Sequence, residues 1–179
     1  TISALSAHAN PLHPNPEIGA AHRTYITNAI LMAEKLGVPA LAIGHHHAHI
    51  ASVMGEHGLD GRVIGVAADG TGFGTDGTIW GFEFLVAARS EFQRIGHLRT
   101  FPLPGGEVAI KDCRKILFSL ARQTESKIDL DIDPQERELW GVMIDRGVNT
   151  PITSSLGRLF DGFAVLAGLG QKATYEAEL

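Results

Sequence analysis

Nine residues, Asp69-Gly-Thr-Gly-Phe-Gly-Thr-Asp-Gly77, separate two apolar runs, Val63–Ala68 and Thr78–Ala87. Glycine at this density disfavours a helix across the gap, and the flanking runs have the length of strands. The segment therefore predicts a β-hairpin: a buried strand ending in Asp69, a tight turn entered through Asp69-Gly-Thr-Gly72, and a returning strand. Helical patterns surround it. Tyr25, Ala29, Met32 and Leu36 recur at spacings of three and four within 20–36, and Gly37 follows where a helix C-terminal glycine belongs. Val38–Ile43 predicts a short buried strand, and His45–His57 a helix closed by Gly58. Further helices are predicted over Ile110–Arg122, Gln135–Ile144 and Ser154–Gly168. In the last of these, Leu156, Leu159, Phe160, Phe163 and Leu166 make an apolar face. The proline-rich Thr1–Gly19 and Phe101–Gly106 predict loops. The class is α/β.

Composition narrows what such a fold does. The 15 Lys+Arg against 20 Asp+Glu give a net charge of −5, which argues against a nonspecific nucleic-acid binder. No apolar run approaches the ~18 residues needed to span a membrane. The single cysteine, Cys113, excludes an internal disulfide and a cysteine-rich zinc site, and fits a reducing, cytoplasmic setting. The first residue, Thr1, suggests a piece of something longer.

Four of the nine histidines fall within Gly44-His-His-His-Ala-His49. On a helix, His45 and His49 stack one turn apart on one face, where two imidazoles can share a metal ion. Ser52 and Glu56 continue that polar stripe, whereas Ile50, Val53 and Met54 are expected in the core. His46 and His47 fall on other faces and suit supporting or structural roles. The plainer alternative is a solvated helix start with incidental histidines. Two imidazoles do not fill a coordination sphere, and Asp69 at the end of a neighbouring strand is the natural third ligand.

Glycines at 70 and 72 allow backbone amides to approach an anion, and Thr71 adds a hydroxyl. No Gly-Lys-Ser/Thr ending follows, and a strand rather than a helix comes next, so neither a Walker loop nor a dinucleotide fingerprint is present. A phosphate-cradling hairpin and an ordinary hairpin with convenient turn residues both remain open.

Taken together, Gly44-His-His-His-Ala-His-Ile-Ala-Ser52, Glu56-His-Gly58, Val63 through Gly81, His97-Leu-Arg99, Phe101-Pro-Leu-Pro-Gly-Gly106 and Ser154-Ser-Leu-Gly-Arg-Leu-Phe-Asp161 resemble the C-terminal domain of the HypF carbamoyltransferases of nickel–iron hydrogenase maturation. That domain is similar to the tRNA threonylcarbamoyl-adenosine transferases. The resemblance runs from about Leu12 to Glu176 and departs locally. Lys111-Asp-Cys-Arg114 stands where Arg-Glu-Pro-Trp is usual, Ala68 where an aromatic is common, and Pro11 where an aspartate precedes Leu12-His-Pro14.

The resemblance implies an actin/Hsp70/sugar-kinase-like fold with ribonuclease H-like lobes, incomplete here. Residues 1–60 would end the first lobe and carry the histidine helix, and residues 61–179 would begin the second with the phosphate hairpin, both partial. It implies His45, His49 and Asp69 as ligands of a divalent iron or zinc ion, with Asp69 the catalytic residue. Gly70, Thr71 and Gly72 would line the phosphate with Asp69, Asp161 would hold the ribose, and Arg158 would sit nearby. The implied ligand is ATP or carbamoyl-adenylate, made by a YrdC-like domain of the parent chain. The carbamoyl group passes to the C-terminal cysteine of HypE, on the way to the cyanide ligands of the hydrogenase. The partial domain alone is expected to be inactive. A small-molecule O-carbamoyltransferase of the same fold and a non-catalytic metal-binding module are the alternatives.

Overall fold

The computed structural model describes residues 28, 30–39, 42–128, 130–174 and 178. The chain divides into two compact units, residues 1–43 and residues 44–179. Within the first, α1 takes in residues 30–35 and closes through Gly37, whose φ of +62° a side chain would resist. The expected start of this helix, residues 20–27, and the expected loop over 1–19 lie outside the described residues. The strand expected over Val38–Ile43 is corrected: residues 38, 39, 42 and 43 carry no strand, and Val38 and Ile43 are exposed. Pro39 has no amide for a ladder, and apolar character alone does not make a strand.

The second unit runs α2 (His45–Glu56), β1 (Val63–Phe73), β2 (Ile79–Ala87), β3 (Phe92–His97), β4 (Phe101–Pro102), α3 (Glu107–Lys111), α4 (Arg114–Gln123), α5 (Pro134–Arg146), β5 (Ile152–Thr153) and α6 (Leu156–Leu166). Its sheet has the order β1-β2-β5-β4, with β3 paired to β2. The hairpin is present and antiparallel, from Val63 opposite Ala87 to Phe73 opposite Ile79. Its turn is tighter and later than expected. Gly74 N–H donates to Thr78 O at 2.9 Å, and Gly77 takes φ +78°. Asp69–Thr71 lie inside β1, three residues opposite the single Gly81, because the register shifts between Ala68 and Gly72. The first strand is also not buried on both faces. Ala67 packs inward, while Ile64 and Val66 are exposed.

Helix α2 lies on the inward face, and Ile50, Met54, Ala67, Trp80, Leu85 and Ala87 form the core between them. Gly65 admits this helix: a Cβ there would stand 2.4 Å from Ile50 Cδ1. Val53, expected in that core, is exposed. The helix expected over Ile110–Arg122 breaks into α3 and α4 at Asp112–Cys113, where Cys113 N–H donates to Gln171 O at 3.0 Å. α5 begins as its sequence dictates, with Asp133 capping Gln135 N–H at 2.8 Å and Pro134 in the first turn.

The apolar face expected of α6 is corrected. Phe160, Phe163 and Leu166 are exposed, while Arg158, Asp161, Gly162 and Ala164 are buried. Closest approach decides this. A Cβ at Gly162 would stand 2.9 Å from Leu120 Cδ1 and 3.2 Å from Ile116 Cγ2, so α4 packs where α6 is thinnest. No helix among the described residues is long and apolar enough to cross a membrane.

Candidate functional site

Two elements meet at the site, the first turns of α2 and the bulge of β1. The i, i+4 spacing brings His45 and His49 to one face, with ring centroids 4.6 Å apart. The bulge turns Asp69 toward them. His45 Nε2 lies 2.6 Å from Asp69 Oδ2, His49 Nε2 lies 3.1 Å from His45 Nε2, and His49 Nε2 lies 3.7 Å from Asp69 Oδ2. Asp69 is held from behind, because its Oδ1 accepts the Gly70 N–H at 2.7 Å.

This donor set suits one cation. Ligand atoms about 2.0–2.2 Å from a common zinc-like ion stand roughly 3–3.5 Å apart, and the three observed separations bracket that spacing. Hydrogen bonding alone serves the cluster badly. A His45 Nε2 that donates to Asp69 has no lone pair left for His49. Burial raises the Asp69 pKa, but the His45 hydrogen bond and the Gly70 amide outweigh it and leave the carboxyl below its usual range. His45 and His49 remain partly open to solvent, so the site is accessible.

The other two histidines of the run face inward. His47 Nε2–H donates to Ala88 O at 2.7 Å, and its ring packs on Phe92. His46 is only 1% exposed, its two ring nitrogens have no hydrogen-bond partner among the described residues, and its Nε2 lies 3.9 Å from Asp69 Oδ2. Gly72 is required above it, because a Cβ there would come within 2.4 Å of His46 Cε1 and 2.8 Å of His45 Cδ2.

The start of α6 closes the bulge from the far side. Ser155 Oγ donates to Gly70 O and also accepts the Arg158 N–H, and Gly157 comes close enough that a Cβ would meet Gly70 Cα at 3.0 Å. Arg158 and Asp161 are both buried and face each other, Nε to Oδ2 at 2.6 Å. Cys113 lies beside this pair. Burial, then the Asp161 charge, pushes its thiol up to about 11. Of the residues singled out in the sequence, His45, His49, Asp69 and Gly70–Gly72 thus gather at one place, and Arg158 and Asp161 form a separate buried pair on the helix that braces it. The sequence reading passed over Ser155, Glu83 and Arg94. Only the Ser154-Ser155 motif carried any signal of them.

Residues 65–179 match the family model described as carbamoyltransferase, Kae1-like domain, second subdomain. The chain is 40% identical to a carbamoyltransferase HypF homolog of Cupriavidus necator, covering 97% of this chain and 44% of that protein. It is 36% identical to carbamoyltransferase HypF of Synechocystis sp., covering 96% and 25% respectively. The crystal structure of full-length HypF in the phosphate- and nucleotide-bound form aligns with a TM-score of 0.76 at 43% identity, over 82% of this chain and 24% of that one. The crystal structure of HypF from T. kodakarensis aligns with a TM-score of 0.73 at 34% identity, over 86% and 22%. The chain therefore spans between about a quarter and under half of the length of these relatives.

Proposed function

The chain belongs to the HypF carbamoyltransferase family, and from that premise we propose that it forms the part of a carbamoyl-transfer domain that holds a divalent cation on His45, His49 and Asp69, beside the phosphate of an adenylate. The observation that carries this reading is the convergence of those three donor atoms, all within 4.8 Å of one another. Iron or zinc bound there would act as a Lewis acid toward a phosphoryl or carbamoyl oxygen.

The chain's own residues prepare the site. Asp69 stays ionised at neutral pH, as a ligand must, because His45 and the Gly70 amide favour its charged form. His45 and His49 offer lone pairs from a fixed helical turn, at no further cost in backbone order. Thr71 and Gly72, next along the bulge, supply a hydroxyl and a close backbone approach to the phosphate. The Gly70 amide is already committed to Asp69, so Gly70 serves by keeping the carboxylate in place. Asp161, held against Arg158 by that buried ion pair, would take the ribose, with Arg158 beside it.

The transfer we propose takes the carbamoyl group of carbamoyl-adenylate to the C-terminal cysteine of HypE. A sulfur–carbon bond forms, the carbon–oxygen bond to the phosphate breaks, AMP leaves and the thiol proton passes to solvent. The adenylate comes from a YrdC-like domain within the longer parent polypeptide. Turnover then needs that further length, and the present chain binds without turning over.

Thermal unfolding with zinc or cobalt, followed by ATP titration, tests the reading. A cation at a hundredfold its Kd should stabilise by about 2.7 kcal/mol, a rise of several degrees in Tm. His45→Ala with His49→Ala should abolish that rise, and an undiminished rise in the double variant would overturn the ligand assignment. Cation binding without ATP binding would favour the metal-binding module instead.

A further inference from the structure

We propose that Arg94, on β3, is a positioning residue for the cation site, fixing Asp69 from the far side of Trp80. The inference rests on the cation reading above and goes beyond it, since Arg94 touches none of the three ligands.

Each nitrogen of the guanidinium has its own task. Nε donates to Glu83 Oε2 at 2.6 Å, Nη1 donates to Asp76 Oδ2 at 2.8 Å, and Nη2 reaches Ser154 Oγ at 3.4 Å. Its Cζ lies over the Trp80 ring, 4.2 Å from the centroid. Two routes run from it to Asp69. On the first, Glu83 is fully buried and its other oxygen accepts the Gly81 N–H at 3.2 Å and the Ser154 hydroxyl. Gly81 is the residue opposite the bulge, so close that a Cβ there would stand 2.8 Å from the Asp69 carbonyl. The neighbouring Ser155 holds Gly70 from the other side. On the second route, Asp76 accepts Trp80 Nε1–H at 2.9 Å, locking the indole. Trp80 packs on His46, which sits under Gly72 beside Asp69.

Arg94 closes the first route by neutralising Glu83 and the second by holding Asp76 against the indole N–H. Without the guanidinium a buried carboxylate loses its cationic partner, and it must rotate or draw in water. Either change releases Gly81 and Ser154 and lets the bulge relax. Lysine keeps the charge but offers a point donor without the planar fork, so it cannot span Glu83, Asp76 and the indole face together.

Cobalt(II), added to the full chain and followed by calorimetry and its visible absorption, is the probe. Arg94→Lys should bind cobalt about 10–100-fold more weakly, the range seen when residues supporting metal ligands are changed. Its visible band should also alter as Asp69 shifts. Asp76→Asn, at an exposed turn, should move affinity and band in the same direction and decides the matter if Arg94→Lys does not fold. Arg114→Lys controls for general destabilisation, because Arg114, at the start of α4, sits in a comparable network with Asp112, Glu136 and Trp140. It should lower Tm and leave cobalt affinity unchanged. Wild-type affinity and spectrum in the folded Arg94 and Asp76 variants, or an equal loss in Arg114→Lys, would overturn the proposal. Failure of the unaltered chain to bind cobalt would instead remove the cation reading on which it rests.

Discussion

An imidazole sealed inside a protein resists protonation, and His46, buried with no hydrogen-bond partner among the described residues, is such a group. Burial, followed by the neighbouring His45, lowers its pKa from 6.5 to about 4. The unfolded chain binds a proton there below about pH 6.5, whereas the folded chain refuses it until about pH 4. Stability from this group is therefore complete above pH 6.5, declines as the pH falls from 6.5 to 4, and changes no further below that. The decline is worth about 3 kcal/mol. Asp69 works in a lower window, because its depressed pKa contributes stability above the ordinary carboxylate range and loses it only as the pH falls through the folded value. Urea unfolding at pH 7, 5.5 and 4 in the presence of a chelator measures the first window. His46→Gln should flatten the curve between pH 6.5 and 4, and an unchanged curve would assign the effect to another group. The sequence displayed His45 and His49 through their spacing. It gave no sign that His46 would lie beneath Gly72, because that contact comes from the register of β1 and not from the period of α2.

Helix α2 carries the imidazoles and β1 the carboxylate, so their packing distance sets the cluster, and Gly65 against Ile50 sets that distance. Gly65→Ala places a methyl group within 2.4–2.7 Å of three Ile50 carbons, and the helix must lift. The change should cost about 1–3 kcal/mol in unfolding free energy. It should also weaken cation binding, while Ile50→Ala, which leaves a cavity, should cost about 2–5 kcal/mol. The double variant should be less destabilised than the sum, because each change accommodates the other; additivity would show that the two groups do not limit the approach. Much at this scale was legible. The hairpin, α2, α5 and the glycine ends followed from apolar runs, caps and turn residues. The bulge was not, because a glycine-rich stretch is compatible with both a turn and an irregular strand, and only pairing with β2 distinguishes them. The exposed side of α6 was missed because periodicity identifies an apolar face without showing what covers it. The two-residue strands β4 and β5 are too short to show any alternation.

At the scale of the molecule, the division at residues 43 and 44 makes a claim about where the site lives. The three donor residues, the core under α2 and the Arg94 network all fall within residues 44–179. A chain of residues 44–179 should therefore unfold cooperatively and show a cobalt-induced rise in Tm equal to that of the full chain, with Kd within about threefold, a difference under 0.7 kcal/mol. The lobe boundary suggested by family resemblance, between residues 60 and 61, makes a different claim. A chain of residues 61–179 keeps Asp69 and the hairpin but loses His45, His49 and the helix over Gly65. One carboxylate is a poor ligand set for a zinc-like ion, so that chain should show no cobalt-dependent shift and should expose Ala67, Leu85 and Ala87 to solvent. Comparing the three chains by calorimetry and thermal unfolding separates the possibilities. If 44–179 loses the response, residues 1–43 supply something essential to the site. If 61–179 keeps it, the cation is held by groups other than the histidine pair, and the geometry at α2 is incidental to binding.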